Sequence, residues 1–240
     1  VISRSKSILA AVALLALAGC GGSSVKNASH LRFFNALNGS EDVRVYVGDR
    51  LISGNNAGPA YGYGGDFGYA QAPSGSVDIV VNPYIDPTTT TASLATQTLV
   101  KDRNYTVVAM SLSGTATLRL YADSVVQSAN TAYFRIIDAA SVATPVYAIL
   151  RDPVGNVVYQ TSSTSPLTTG TNTGYRSYAT DGTDSAQYTL DVYDGSDFAN
   201  SIGSETVTLQ PGGPVTIVLY DQKNGTGVSI KSGVDVYGAL

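Results

Sequence analysis

The chain has 240 residues, 14 basic and 18 acidic side chains, a formal net charge of −4, a single cysteine and no tryptophan. A mildly acidic chain without a basic stripe is excluded from sequence-independent nucleic-acid binding, which depends on neutralising phosphates. A single cysteine excludes an internal disulfide, so any folded unit must be held by apolar burial and polar pairing.

The first element is an export signal. Arg4 and Lys6 precede an unbroken apolar run over residues 8–18, which ends in Leu17-Ala18-Gly19-Cys20. The run has 11 residues, against about 20 for a spanning helix, and is read as the apolar core of a secretion signal. Its last four residues resemble the lipobox of bacterial lipoproteins. That resemblance implies cleavage after residue 19, acylation of Cys20 with palmitate-type chains, and a stable membrane anchor when more than one chain is attached. Gly21, in place of the aspartate that holds such proteins at the inner membrane, favours the outer membrane. The expectation is a signal peptide over 1–19, then a lipidated cysteine and a small polar tether over 20–29.

Beyond the tether the pattern has period two. Val43, Val45 and Val47 alternate with Arg44 and Tyr46, placing three valines on one strand face, and Gly48-Asp49 supplies a hairpin turn before Leu51 and Ile52. Further strands are predicted over residues 67–72, 77–81, 97–99, 105–110 and 115–121, with Pro73-Ser74-Gly75 as a turn between two of them. The second half repeats the first: Leu31-Arg32-Phe33-Phe34-Asn35-Ala36 is answered by Tyr133-Phe134-Arg135-Ile136-Ile137-Asp138-Ala139. Residues 146–150, 187–192 and 215–220 answer 43–47, 77–81 and 105–110, and Gly68-Tyr69-Ala70 finds an echo in Ser177-Tyr178-Ala179. A period of about 100 residues is too long for a solenoid and suits tandem domains. The chain is therefore expected to be all-β, with two tandem immunoglobulin-like β-sandwich domains over 30–121 and 132–240, joined by a polar linker over 122–131. A small barrel is the structural alternative, since strand counts alone do not decide closure.

Several of these motifs also resemble the bacterial family of exported domains numbered 4397 among domains of unknown function. They are the strand ending in Asn35-Ala36, then Val43-Arg44-Val45-Tyr46-Val47-Gly48-Asp49, the aromatic–glycine stretch Ala60-Tyr61-Gly62, and Gly68-Tyr69-Ala70-Gln71-Ala72-Pro73-Ser74-Gly75. The late strand Asn104-Tyr105-Thr106-Val107-Val108-Ala109 completes the likeness. It covers the first half closely and the second loosely, and it implies a tandem envelope or surface protein with no catalytic residues to carry over.

Candidate chemistry is sparse. His30 is the only histidine and is expected to be a solvated residue where tether meets strand, so a nucleophile–histidine pair has no base. Metal sites with two His or Cys ligands are excluded by count once Cys20 is acylated. Asp191, Asp194 and Asp197, with Asp181 and Asp184 upstream, form the densest carboxylate group and a weak calcium candidate, though the ordered aspartates and closing glutamate of a calcium loop are missing. Only two glutamates, Glu41 and Glu205, and no tryptophan are available to a glycosidase. The best candidate binding surface is the segment bearing Tyr61, Tyr63, Phe67 and Tyr69, where tyrosines give contact area and glycines allow close approach. These readings point to a non-catalytic, lipid-anchored envelope protein without cofactors. Its partners would be the membrane through the lipid, and an envelope protein or a glycan. A glycan- or calcium-dependent binding module is the alternative, and a hydrolase the reading that follows.

Overall fold

The computed structural model describes residues 27–39, 42–52, 60–65, 68–123, 128–141, 145–180 and 185–235, and these form no helix. The first half contains β1 (Ala28–Ala36), β2 (Val43–Val47), β3 (Arg50–Ile52), β4 (Ala70–Pro73), β5 (Gly75–Pro83), β6 (Ala92–Leu99), β7 (Asn104–Leu112) and β8 (Thr115–Ala122). The second contains β9 (Thr131–Asp138), β10 (Tyr147–Arg151), β11 (Val157–Gln160), β12 (Arg176–Ala179), β13 (Ala186–Tyr193), β14 (Ser201–Leu209), β15 (Pro214–Asp221) and β16 (Val228–Val234). Each half is a sandwich of two four-stranded sheets rather than a barrel. The first half pairs β3-β2-β5-β6 with β4-β1-β7-β8, and the second pairs β11-β10-β13-β14 with β12-β9-β15-β16.

Alternation explains the outer sheets. Val43, Val45 and Val47 point inward from β2 and pack with Ile79 and Val81 of β5 against Leu31, Phe33 and Val107 of the inner sheet. The equivalent core in the second half is built from Phe134, Ile136, Leu150, Leu190, Val192 and Ile217. The inner strands do not alternate in exposure. β1 and β7 pair parallel, as do β9 and β15, and both faces of all four strands are covered. Their inward faces fill the two cores, and their outward faces meet each other. Phe34, Ala36, Val108 and Met110 of the first half form one buried cluster with Ile137, Ala139 and Val218 of the second. The molecule is thus four sheets deep, which is why β1 and β9 read as continuous apolar strands, each interrupted by an arginine.

Two boundaries differ from the sequence reading. β1 starts at Ala28, inside the segment assigned to the tether, because β4 pairs with it from Ala28 to Leu31 and buries Ser29, whose Oγ donates to the Ala72 carbonyl at 3.2 Å. His30 is accordingly a half-buried strand residue, not a solvated linker residue; its amide donates to the Arg103 carbonyl at 2.8 Å. Asp123, in the segment read as a linker, is 1% exposed. Cys20 and the signal segment lie outside the described residues.

β14 and β16 belong to different sheets of the second half, yet their backbones nearly touch. A Cβ at Gly203 would lie 2.5 Å from the Val228 carbonyl oxygen. Gly203→Ala therefore forces the two strands apart, and urea denaturation is expected to show a loss of about 1–3 kcal/mol. An unchanged midpoint would mean that this corner is loose.

Candidate functional site

The aromatic–glycine segment turns inward. Tyr61 bridges to Val43, is 2% exposed, packs edge-to-face on Phe33 with centroids 5.1 Å apart, and donates its hydroxyl to the Ile52 carbonyl at 3.2 Å. The following residues cross the end of β1, where the Gly64 amide donates to the Asn35 carbonyl at 2.9 Å. Gly65 is required there: its φ is +29°, and a Cβ would sit 2.9 Å from the Asn35 nitrogen. This crossing carries Tyr63 over to the second half. Its hydroxyl donates to the Asp221 carbonyl, and its ring stands edge-to-face on Tyr220 with centroids 5.5 Å apart. Tyr220 in turn packs edge-to-face on Phe34 at 5.1 Å. Burial and the neighbouring Asp221 push the Tyr63 hydroxyl well above the usual phenol range. Tyr69 is 8% exposed and donates to Asp123 Oδ2 at 2.7 Å. Phe67 lies outside the described residues.

Tyr69 leads to the centre of the molecule, a buried cluster of two arginines and two aspartates. Arg32 of β1 donates through Nε to Thr106 Oγ1 at 2.6 Å and pairs through Nη2 with Asp235 at the end of the second half. Arg135 of β9 donates through Nε to Thr216 Oγ1 at 2.9 Å and pairs through Nη2 with Asp123 at the end of the first half. Asp123 Oδ2 also accepts from Thr106 at 2.7 Å, and Asp235 Oδ2 accepts from Thr216 at 3.1 Å and from the Tyr175 hydroxyl. The Tyr69 ring lies 5.0 Å from the Arg32 guanidinium, and the Tyr175 ring 4.9 Å from that of Arg135. All four charged side chains are at most 3% exposed.

The pairing is reciprocal. Arg32 and Arg135, Thr106 and Thr216, Asp123 and Asp235, and Tyr69 and Tyr175 hold equivalent places in the two halves, and each arginine reaches the other half's aspartate. Tyr175 takes this place rather than the Tyr178 matched from sequence, because Ala70 pairs with Leu31 as Arg176 pairs with Phe134. Burial alone would lower the Arg32 pKa, but Asp235, Tyr69 and Asp123 together raise it. Burial raises the Asp235 carboxyl, with Arg32 opposing. Two cations and two anions leave the cluster neutral, with no open side for a substrate. Its chemistry is that of a lock. The sequence signal for it was an arginine at the same place in two otherwise apolar strands.

The cluster and the apolar contact also fix direction. Early residues of β1 and β9 meet at the charges and later residues meet at the Phe34–Ile137 cluster, so the two strands run the same way across the interface. Ala28, Asp123, Thr131 and Asp235 therefore lie at one end of the molecule. The segments joining β5 to β6, β7 to β8, β13 to β14 and β15 to β16 lie at the other. At that far end Ile85 is 74% exposed and Tyr84 38%, with Tyr84 stacked on Arg44 at 4.5 Å.

The carboxylates of the second half are engaged separately. Asp191 lies 3.6 Å from Arg151 Nε and accepts from Ser204 at 2.7 Å, Asp194 accepts from Asn200 at 2.6 Å, and Asp197 accepts from the Ala199 amide at 3.2 Å. Asp181 and Asp184 are outside the described residues, and among those described no group of three or more His, Cys, Asp or Glu is placed to hold a metal ion.

A family model described as "Domain of unknown function (DUF4397)" matches residues 29–148, half of the chain, running from β1 through β9 into β10. No curated protein sequence matches the chain. Solved structures with a remote likeness include a family 26 carbohydrate-binding module of Eubacterium rectale Amy13K in complex with maltoheptaose, 12% identical over 88% of this chain and 98% of that one, with a TM-score of 0.24. Another is a family 41 α-glucan-recognising module from streptococcal virulence factors, 13% identical over 79% and 93%, with a TM-score of 0.25. A third is a proposed cell-adhesion protein of Bacteroides uniformis, 12% identical over 89% and 100%, with a TM-score of 0.27. Likenesses this remote carry no argument about a ligand.

Proposed function

The chain belongs to the DUF4397 domain family, and from that premise we propose that it is a non-catalytic envelope protein, lipid-anchored through Cys20, that holds a rigid double sandwich away from the membrane for partner binding. The observation that carries this reading is the reciprocal charge lock, which joins the halves into one body and sets Ala28, where the tether arrives, at the end opposite the β5–β6 and β13–β14 loops. A body built this way presents those loops at a fixed distance from its anchor. The fully used charges at its centre support a mechanical rather than a chemical role. Gly21 after the acylated cysteine favours the outer membrane as the site.

The test is metabolic labelling with an alkyne palmitate in a bacterial host, followed by membrane fractionation. The wild-type chain should take up label and sediment with outer membranes. Cys20→Ser should be unlabelled and soluble after export. An unlabelled, soluble wild type would contradict the anchor. Crosslinking on intact cells, comparing the two forms, should then yield a partner captured only by the anchored protein.

A further inference from the structure

The two-fold relation between the halves is broken where Tyr63 crosses the interface, and the break leaves a cleft. Backbone hydrogen bonds fix the equivalence. Gly64 donates to the Asn35 carbonyl and Gly65 to that of Gly62, while Gly170 donates to the Asp138 carbonyl at 2.7 Å and Thr171 to that of Thr168 at 2.8 Å. Tyr61 bridges Val43 as Leu167 bridges Val146. Tyr61-Gly62-Tyr63-Gly64 thus matches Leu167-Thr168-Thr169-Gly170. Across the interface, Gly64 rests against Tyr220 and Gly170 against the Arg119 guanidinium and the Met110 sulfur, and strand pairing makes Met110 and Tyr220 equivalent, with Ser111 matching Asp221.

In one copy Tyr63 fills the gap between the halves and donates to the Asp221 carbonyl. In the other copy the same position holds Thr169, which is too short to cross and turns back to the Ala140 carbonyl at 2.6 Å. The vacated space is a cleft of about 550 Å³, walled by Ser111, Leu112 and Ser113 of the first half and by Ser141, Thr168 and Thr169 of the second. That volume lies within the range of small-ligand sites. One wall is pinned, since Ser141 donates through its amide and its hydroxyl to the two carboxylate oxygens of Asp221, at 2.7 and 2.6 Å. Among the described residues, those lining the cleft are uncharged, and the nearest charge is the Arg119 guanidinium beside Gly170.

Resting on the reading of this chain as a partner-binding module, we propose that the cleft receives a tyrosine side chain presented by a partner polypeptide, in the position that Tyr63 takes in the other copy. The molecule itself supplies the precedent for both contacts. The phenol hydroxyl donates to a backbone carbonyl, here that of Ser111 in place of Asp221. The ring packs beside Gly170, on the side where the Arg119 guanidinium stands in front of the buried Met110 sulfur, and a guanidinium makes a favourable contact with an aromatic face. Hydroxyl-bearing walls alone would also suit a sugar, but among the described residues the cleft is lined by no aromatic ring on which a sugar could stack.

The unlipidated Cys20→Ser protein in solution tests this without reference to the anchor, so failure of the site and failure of the anchor are separate results. N-acetyl-L-tyrosinamide is titrated while amide NMR shifts are followed at Ser113, Gly114, Ser141 and Thr169. Saturable shifts at these residues are expected, with a Kd of about 1 mM, as suits a fragment of this size. Thr169→Tyr, which restores the other copy's residue, should abolish them. Thr168→Trp, an exposed change that narrows the cleft, should weaken binding about tenfold or more and guards against a folding defect in the first variant. The proposal is overturned by no saturable shifts at these residues, by shifts that survive both substitutions, or by shifts with maltose and none with the tyrosine amide.

Discussion

Arg135→Met should lower the unfolding free energy by about 3–5 kcal/mol, because it takes from the buried Asp123 the closer of its two guanidiniums and leaves only Arg32 Nε, at 3.8 Å. Asp123 is 1% exposed, and its Oδ1 faces the Arg135 guanidinium. Removing that group also takes a donor from the Ala122 carbonyl at 3.0 Å and from Thr106 Oγ1 at 3.0 Å. Methionine fills much of the volume but supplies no hydrogen. Arg32→Met should behave alike, since it strands Asp235 in the same way. The origin of the loss is separable. In Arg135→Met/Asp123→Asn the under-compensated charge is gone while the acceptor for Tyr69 and Thr106 is kept, so the double variant should lose less than the two single losses added together. Urea denaturation of the four proteins reads this directly. A single-variant loss below about 1 kcal/mol would mean that the charges are not shielded from water in solution, since exposed pairs contribute only that much.

The second large effect concerns a residue that differs between the halves. Asp138 sits where the first half has Asn35. Asn35 accepts from the Leu37 amide at 3.1 Å and donates from Nδ2 to the Tyr61 carbonyl at 3.2 Å. Asp138 accepts from the Ala140 amide at 3.0 Å, but its Oδ2 has no hydrogen-bond partner among the described residues. Burial, with Asp221 nearby adding to it, pushes this carboxyl up to about 7 against the bond from Ala140. An acid whose pKa is higher in the folded state binds its proton more tightly there. Its destabilising influence is absent below about pH 4, grows as the pH rises from 4 to 7, and is constant above that. The rise from 3.8 to about 7 corresponds to about 4 kcal/mol. Asp138→Asn supplies the donor that the first half already uses. At pH 8 it should stabilise the protein by an amount approaching that figure, and at pH 4 it should change little. A pH-independent difference between the two proteins would show that Asp138 is ionised in both folded and unfolded chains at the same pH.

Much of the architecture was legible because alternation is a local signal. Val43, Val45 and Val47 had to share a face, and the repeat of an apolar strand with one arginine and a terminal Asn-Ala or Asp-Ala marked two copies of one unit. β14 was not legible, because its inward residues Ile202, Val207 and Leu209 are spaced among serines, threonines and a glycine, and its fold comes from pairing with β13. β1 gave its existence but not its surroundings. A strand covered on both faces has no period, so nothing local says that a second sandwich lies on its far side. Tyr63 shows the same limit. As sequence it was a candidate exposed aromatic, and its partner carbonyl is 158 residues away in the chain. The lock was not read from the sequence: Arg32 and Arg135 stood in the repeated strand without being singled out, and Asp123 and Asp235 looked like ordinary polar residues after the last strand of each half.

The claim on which the account rests is that the two sandwiches form one body, held by charges that each half borrows from the other. Scanning calorimetry of the unlipidated Cys20→Ser protein at pH 7 tests it most directly. One transition is predicted, with a calorimetric enthalpy equal to the van't Hoff enthalpy for the whole chain. Two transitions, each with the enthalpy of about 100 residues, would show that the halves unfold independently and would contradict the lock.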